Sequence, residues 1–262
     1  MGSSRNGGHL SQKVTCLSRR AVRRSNALHE IGHADRPNGT RAAPLSFPSR
    51  SPSRIQDPHR KLAMAILETL KKTAEKATGL ARPSRDRLED LVRSRKANTF
   101  AFKNDGVIPN NARWPLVFYR GVVALPDGLD PAAIMEDLFK LNGWGDSWRD
   151  GIYDYVHYHI HEVLGIARGK GTVRFGGNNG RIVQLKDGDV AVLPAGTGHQ
   201  CLAASSNFLV VGAYPPSGTY DECTTSEHHD RALKTIPKVG RPRKDPVYGA
   251  NGLLLSAWKS LR

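Results

Sequence analysis

The chain has 262 residues, of which 39% are hydrophobic, enough for one packed core of domain size, and it carries a formal net charge of +15. No apolar run approaches the eighteen or so residues of a membrane span, which excludes transporters and channels and predicts a soluble protein. The three cysteines, Cys16, Cys201 and Cys223, are odd in number and lack CxxC spacing, so a reducing, cytoplasmic setting is the simpler reading.

The basicity is uneven. Residues 1–63 hold twelve Lys/Arg against three Asp/Glu, a net of +9 that leaves +6 for all the rest. This stretch is rich in Ser, Arg, Gly, Pro and Asn, lacks apolar periodicity, and is predicted to be a disordered basic tail. An organellar transit peptide has this composition, and so does an extension translated ahead of a start at Met64; the second reading is favoured. Nucleic-acid binding through the tail is a minor reading.

From Met64 the texture changes to MAILETLKKTAEKATGL, a predicted helix with apolar Ile66, Leu67 and Leu70. A second helix, SRDRLEDLVRSRKA, is expected after Pro83 with Ser84 as its cap, so residues 64–97 read as a helical segment. Beyond it come short apolar runs, TFAFK and WPLVFYRGVVAL, separated by turn signals. DPAAIMEDLFKLNGW predicts a helix capped by Asp130 with Pro131 in its first turn.

From Gly151 onward strands are predicted in succession. VLGIAR, TVRFGG, RIVQL, VAVLP, HQCLAA and FLVVGAY are joined by turns, and read as a regular antiparallel meander forming a sandwich or small barrel. The end of the chain, from about Pro215, reads as loop and wrapping segment closing in LLLSAW.

Within this region VHYHIHE spaces three histidines two apart. In an uninterrupted strand His157, His159 and His161 would point one way, with Tyr158 and Ile160 the other, and the spacing alone does not say which face is buried.

Two segments together resemble the paired signatures of the cupin superfamily. Gly151, His157-Tyr158-His159, Glu162 and Gly169 are similar to the first signature; Gly188, Pro194-Ala195-Gly196 and His199 match the second. The likeness runs from about Asn98 to Trp258, through FAFKNDGVIPNN, NGWGDSWRDGIYDY, HEVLGIARGKGTVRFGG, GDVAVLPAGTGH, VVGAYPPSGTYD and DPVYGANGLLLSAW, toward short single-domain cupins of uncharacterised function. It implies a mainly β fold: residues 98–262 as one cupin barrel, a double-stranded β-helix or jelly roll, with a few flanking helices. It further implies one divalent transition metal (Fe, Mn, Ni, Cu or Zn) held by His157, His159, Glu162 and His199, donors that suit such ions and leave positions open.

The chain departs from the family pattern in one spacing. Only Ile160-His161 separate His159 from Glu162, where the resemblance leads one to expect about two residues more. Either a tightened turn or bulge still delivers Glu162, or His161 takes its place. The asparagine that often follows the second signature is replaced by Ala203.

Other patterns have plainer readings. His29-Glu30-Ile31-Gly32-His33 matches HExxH, but it sits in the basic tail and lacks a third histidine, so a chance match is expected. Gly240-Arg241-Pro242 resembles the core of a minor-groove hook in a single incomplete copy, and reads as a solvated basic loop. His228-His229 reads as an exposed pair and Cys201 as a packing residue that could face the pocket. Trp144, Trp148, Tyr153 and Tyr155 could form the pocket mouth or pack the core.

The expected function is therefore a metal-binding cupin, an enzyme of oxygenase or isomerase type acting on a small oxygen-rich molecule. The alternative is a non-catalytic module with a degenerate site that binds a metal or small ligand. A homodimer is implied by the resemblance.

Overall fold

The computed structural model of the protein describes residues 79–154, 156–221 and 229–259. The basic tail, the HExxH match, the helix expected from Met64, Tyr155, His228 and Cys223 lie outside these residues. No helix among the described residues is long and apolar enough to cross a membrane.

Among the described residues nine strands carry the fold: β1 (Ala97–Phe100), β2 (Leu116–Tyr119), β3 (Gly145–Asp150), β4 (Glu162–Arg168), β5 (Lys170–Phe175), β6 (Arg181–Lys186), β7 (Val190–Leu193), β8 (His199–Ala204) and β9 (Leu209–Tyr214). Strands β4 to β9 fall on the six runs that the sequence marks as strands. Their pairing is not that of a meander, which would join each strand to the next. One antiparallel sheet has the order β1-β2-β7-β4-β9-β3 and the other the order β6-β5-β8, the two-sheet arrangement of a jelly roll. Successive strands share the same alternation whichever sheet they enter, so periodicity could not separate the two pairings. At Gly169 the chain leaves β4 for β5 in the other sheet; its φ of +73° suits glycine, and an added Cβ would lie 2.5 Å from Ser205 Oγ.

Alternation also builds two apolar layers. Leu164 and Ile166 of β4, Leu116 and Phe118 of β2, and Val210 of β9 meet Val173, Phe175, Val183 and Leu185 between the sheets. On the outer face of the larger sheet Val163, Ala167, Val192, Val211 and Ala213 pack against helix α1 (Pro131–Leu141) through Ile134, Met135, Leu138 and Phe139. Strand β4 is thus covered on both faces, which is why it reads as a continuous apolar run. Each such aliphatic or aromatic side chain contributes roughly 1.5–3 kcal/mol by leaving water.

Helix α1 starts as its sequence predicts: Asp130 accepts from the backbone N–H of Ala132, and Pro131 occupies the first turn. The segment after Pro83 differs from expectation. It forms only a 3-10 turn at Arg85–Arg87, and Ser84 makes no side-chain cap. Leu88 and Leu91 are buried, and backbone bonds from Arg93 N to Val122 O and from Ala124 N to Leu91 O tie the segment to the chain after β2; these long-range contacts override its helix propensity.

The C-terminal stretch wraps the barrel with two short helices, α2 (His229–Thr235) and α3 (Leu253–Ala257). Trp258 is fully buried, stacked on Trp114 at 5.3 Å, and its indole N–H donates to Pro115 O. Buried Asp245 clamps the wrap: its carboxylate accepts from Tyr119 Oη at 2.5 Å and from the backbone N–H groups of Val247, Tyr248 and Leu254.

Candidate metal centre

The HYHIHE stretch is not a strand. Residues 157–161 are irregular, and regular pairing begins at Glu162 opposite Leu193. The register of β4 then sorts the side chains. Glu162 is in phase with Leu164 and Ile166, so it projects between the sheets, whereas its neighbour His161 falls on the other side, with Val163.

His157, Glu162 and His199 come together in a buried cluster, with one donor atom from each lying within 4.8 Å of the others. Glu162 Oε1 is 3.5 Å from His157 Nε2, and Oε2 is 3.4 Å from His199 Nε2. His199 arrives on β8, whose partner Phe175 belongs to the layer between the sheets.

The tautomers follow from the outer contacts. His199 Nδ1 lies 2.6 Å from Tyr153 O, and His157 Nδ1 contacts Asp221 O. A carbonyl oxygen only accepts, so both Nδ1 atoms carry a proton, and both Nε2 atoms are turned toward Glu162. Glu162 Oε1 accepts from Tyr214 Oη at 3.1 Å, while Oε2 has no hydrogen-bond donor among the described residues.

Burial by itself would raise Glu162, but the facing imidazoles of His157 and His199 outweigh it and bring the carboxyl down to about 2. Burial likewise opposes the charge on His157, but Asp221 and Glu162 overcome it and raise the ring to about 10. Burial, then the Glu162 charge, push the Tyr214 phenol above its usual range, so it remains a donor. Two imidazoles and one carboxylate, buried and convergent, fit a divalent transition metal both by donor type and by the orientation of the rings.

The remaining candidates lie elsewhere. His159 is outside the cluster: its side chain is 36% exposed, and its Nδ1 meets Asp221 Oδ2 at 3.1 Å. His161 is wholly buried in a structural position, accepting from Ala195 N at Nδ1 and donating to Gly240 O from Nε2. Trp114 and Trp258 pack around its ring, and burial lowers its pKa to about 4. Cys201 packs against the layer between the sheets. Trp144 is a core residue, His229 bonds to Asn104, and Arg241 is held by Leu255 O.

Asp221 and Tyr214 were missed by sequence reasoning. Tyr214 had a signal, since it shares strand parity with Val210 of the inner layer; Asp221 had none, because it acts from a loop more than sixty residues away. A narrow gap too small to admit a water molecule adjoins the cluster, lined by His157, Ile160, Glu162, Leu193, Pro194 and Thr197.

No family model matches the chain. The uncharacterised protein YjlB of Bacillus subtilis (strain 168) is 36% identical over 167 residues, covering 63% of this chain and 98% of that protein. Among solved structures, YcfD, a ribosomal oxygenase from Escherichia coli in complex with cobalt and succinic acid, is 14% identical with a TM-score of 0.28, covering 53% of this chain and 46% of that one. A cupin 2 domain-containing protein from Halorhodospira halophila is 11% identical with a TM-score of 0.25, covering 55% and 79%. Streptomyces albus HEPD, with 2-hydroxyethylphosphonate and Fe(II) bound, is 14% identical with a TM-score of 0.25; the match covers 54% of this chain but only 28% of that one. With both signatures on a two-sheet jelly roll and 36% identity over 167 residues that span 98% of YjlB, this chain is a cupin belonging to the YjlB family.

Proposed function

We propose that this cupin binds one divalent transition metal through Nε2 of His157, Nε2 of His199 and the carboxylate of Glu162, and is a mononuclear-metal enzyme of oxygenase or isomerase type. Its substrate is a small oxygen-rich molecule. The observation that carries this reading is the buried convergence of two imidazoles and one carboxylate, each ring held through Nδ1 by a backbone carbonyl. When bound, such an ion supplies Lewis acidity or a redox centre with coordination positions left for ligands.

The chain's own residues do the rest. Ile160, Leu193 and Pro194 exclude water beside the cluster, which strengthens electrostatic interactions there. His159 takes no part as a ligand in this proposal; Asp221 engages it instead. A homodimer in the cytoplasm belongs to the same reading, and light scattering measures the first part of it.

Elemental analysis of protein purified without a histidine tag tests the proposal. Near-stoichiometric Fe, Mn, Ni, Cu or Zn that disappears in Glu162→Ala and His199→Ala variants supports it, and justifies an oxygenase and isomerase screen. Absence of metal after reconstitution refutes it. The narrowness of the gap and the short spacing before Glu162 favour a second reading, a non-catalytic metal or ligand carrier. Full metal content without activity across the screen selects that alternative.

A further inference from the structure

The reading of His157, Glu162 and His199 as ligands leaves open how the carboxylate is presented. Strand β3, an edge strand, bears on this. Trp148 of β3 is paired with Gly212 of β9, and its indole lies across that glycine: a Cβ added at Gly212 would sit 2.1 Å from the ring. Only because Gly212 has no side chain can the indole cross its neighbour strand and deliver Nε1 to Tyr214 Oη at 2.9 Å, two residues farther along β9. Tyr214 Oη in turn donates to Glu162 Oε1 at 3.1 Å. The phenol has one proton and it goes to the carboxylate; the indole N–H can only donate, so it holds the phenol oxygen in that direction. The result is a one-way relay from a sheet edge to one oxygen of Glu162, while Oε2 faces His199 Nε2 at 3.4 Å.

We propose that Trp148 and Tyr214 are positioning residues that occupy Oε1 of Glu162 and so make the carboxylate a one-oxygen ligand through Oε2. This rests on the metal reading above. It predicts that removing the phenol hydroxyl frees Oε1 to join the metal, changing coordination number as well as affinity.

Cobalt(II) titration of the full chain followed by visible absorption tests the proposal, because the intensity of the cobalt bands reports coordination number. In Tyr214→Phe the bands should weaken as Glu162 binds through both oxygens, and apparent affinity should fall about 10-fold or more. Trp148→Phe should shift the spectrum the same way to a lesser degree. Gly212→Ala, which keeps both side chains but drives a methyl into the indole, should reproduce the Trp148→Phe spectrum. Thermal unfolding of the metal-free variants separates loss of fold from loss of positioning. Wild-type protein that binds cobalt with a spectrum and affinity unchanged in Tyr214→Phe overturns the positioning proposal alone. Wild-type protein that binds no cobalt overturns the metal reading, and this inference with it.

Discussion

His161 lies one residue from Glu162, yet the structure gives it an opposite role, and acid stability discriminates the two. Its ring is fully buried, accepts from Ala195 N, donates to Gly240 O, and is flanked by Trp114 and Trp258. Burial lowers its pKa from 6.5 to about 4. The folded state therefore resists a proton that the unfolded chain takes up readily. The unfolded state binds more protons between pH 4 and 6.5, so stability rises with pH across that window. The contribution is fully present above about 6.5 and is lost as pH falls toward 4; a gap of this size is worth roughly 3 kcal/mol. Other cluster groups act in other windows. Glu162, lowered to about 2, loses its contribution mainly below pH 4.5, and His157, raised to about 10, loses its contribution as pH climbs from 6.5 toward 10. Urea unfolding of metal-free protein at pH 4.5, 5.5, 6.5 and 7.5, in wild type and His161→Gln, isolates the residue. Glutamine can keep a donor and an acceptor without titrating, so the variant should be about 1–3 kcal/mol less stable at pH 7.5 and nearly flat between pH 6.5 and 4.5, where wild type loses stability. Its metal content should match wild type. Equal slopes in the two proteins would refute the assignment of His161 as a neutral structural residue, and loss of metal would return it to the ligand set.

Three further outcomes follow from packing and hydrogen bonding. Gly165→Ala places a Cβ 2.7 Å from the Phe139 ring and 2.9 Å from Met135 Sδ, so it should destabilise by about 1–3 kcal/mol in denaturant titrations, through separation of α1 from β4. Asp245→Ala leaves Tyr119 Oη and the backbone N–H groups of Val247 and Tyr248 without their acceptor, Leu254 N–H keeping only Tyr119 Oη, and should cost roughly 3 kcal/mol; hydrogen exchange should then rise first in residues 245–258. Asp130→Ala removes the cap of α1 and one contact to Arg149, and should cost about 1 kcal/mol with metal content unchanged.

Much was legible in the sequence because it depends on local periodicity. The six strands from Glu162 to Tyr214, the capped helix at Pro131–Leu141, and the two signatures bearing His157, Glu162 and His199 are all patterns a few residues long. Local turn chemistry and alternation by twos specify them wherever the strand ends up.

What the local patterns do not contain is which partner each strand takes. Alternation is the same in a meander and in a jelly roll, so only tertiary packing placed β4 between β7 and β9 and carried β5, β6 and β8 into the second sheet. The same limit applied at the site: VHYHIHE alone could be a strand with three histidines on one face. Once β4 pairs from Glu162 with Leu164 and Ile166 turned inward, parity sends Glu162 into the cluster and His161 toward Trp258, while the irregular backbone before it brings His157 into the cluster and leaves His159 at the surface beside Asp221. Residue types and spacing come from the sequence; whether a side chain faces the interior depends on register, a property of two strands together that neither strand contains alone.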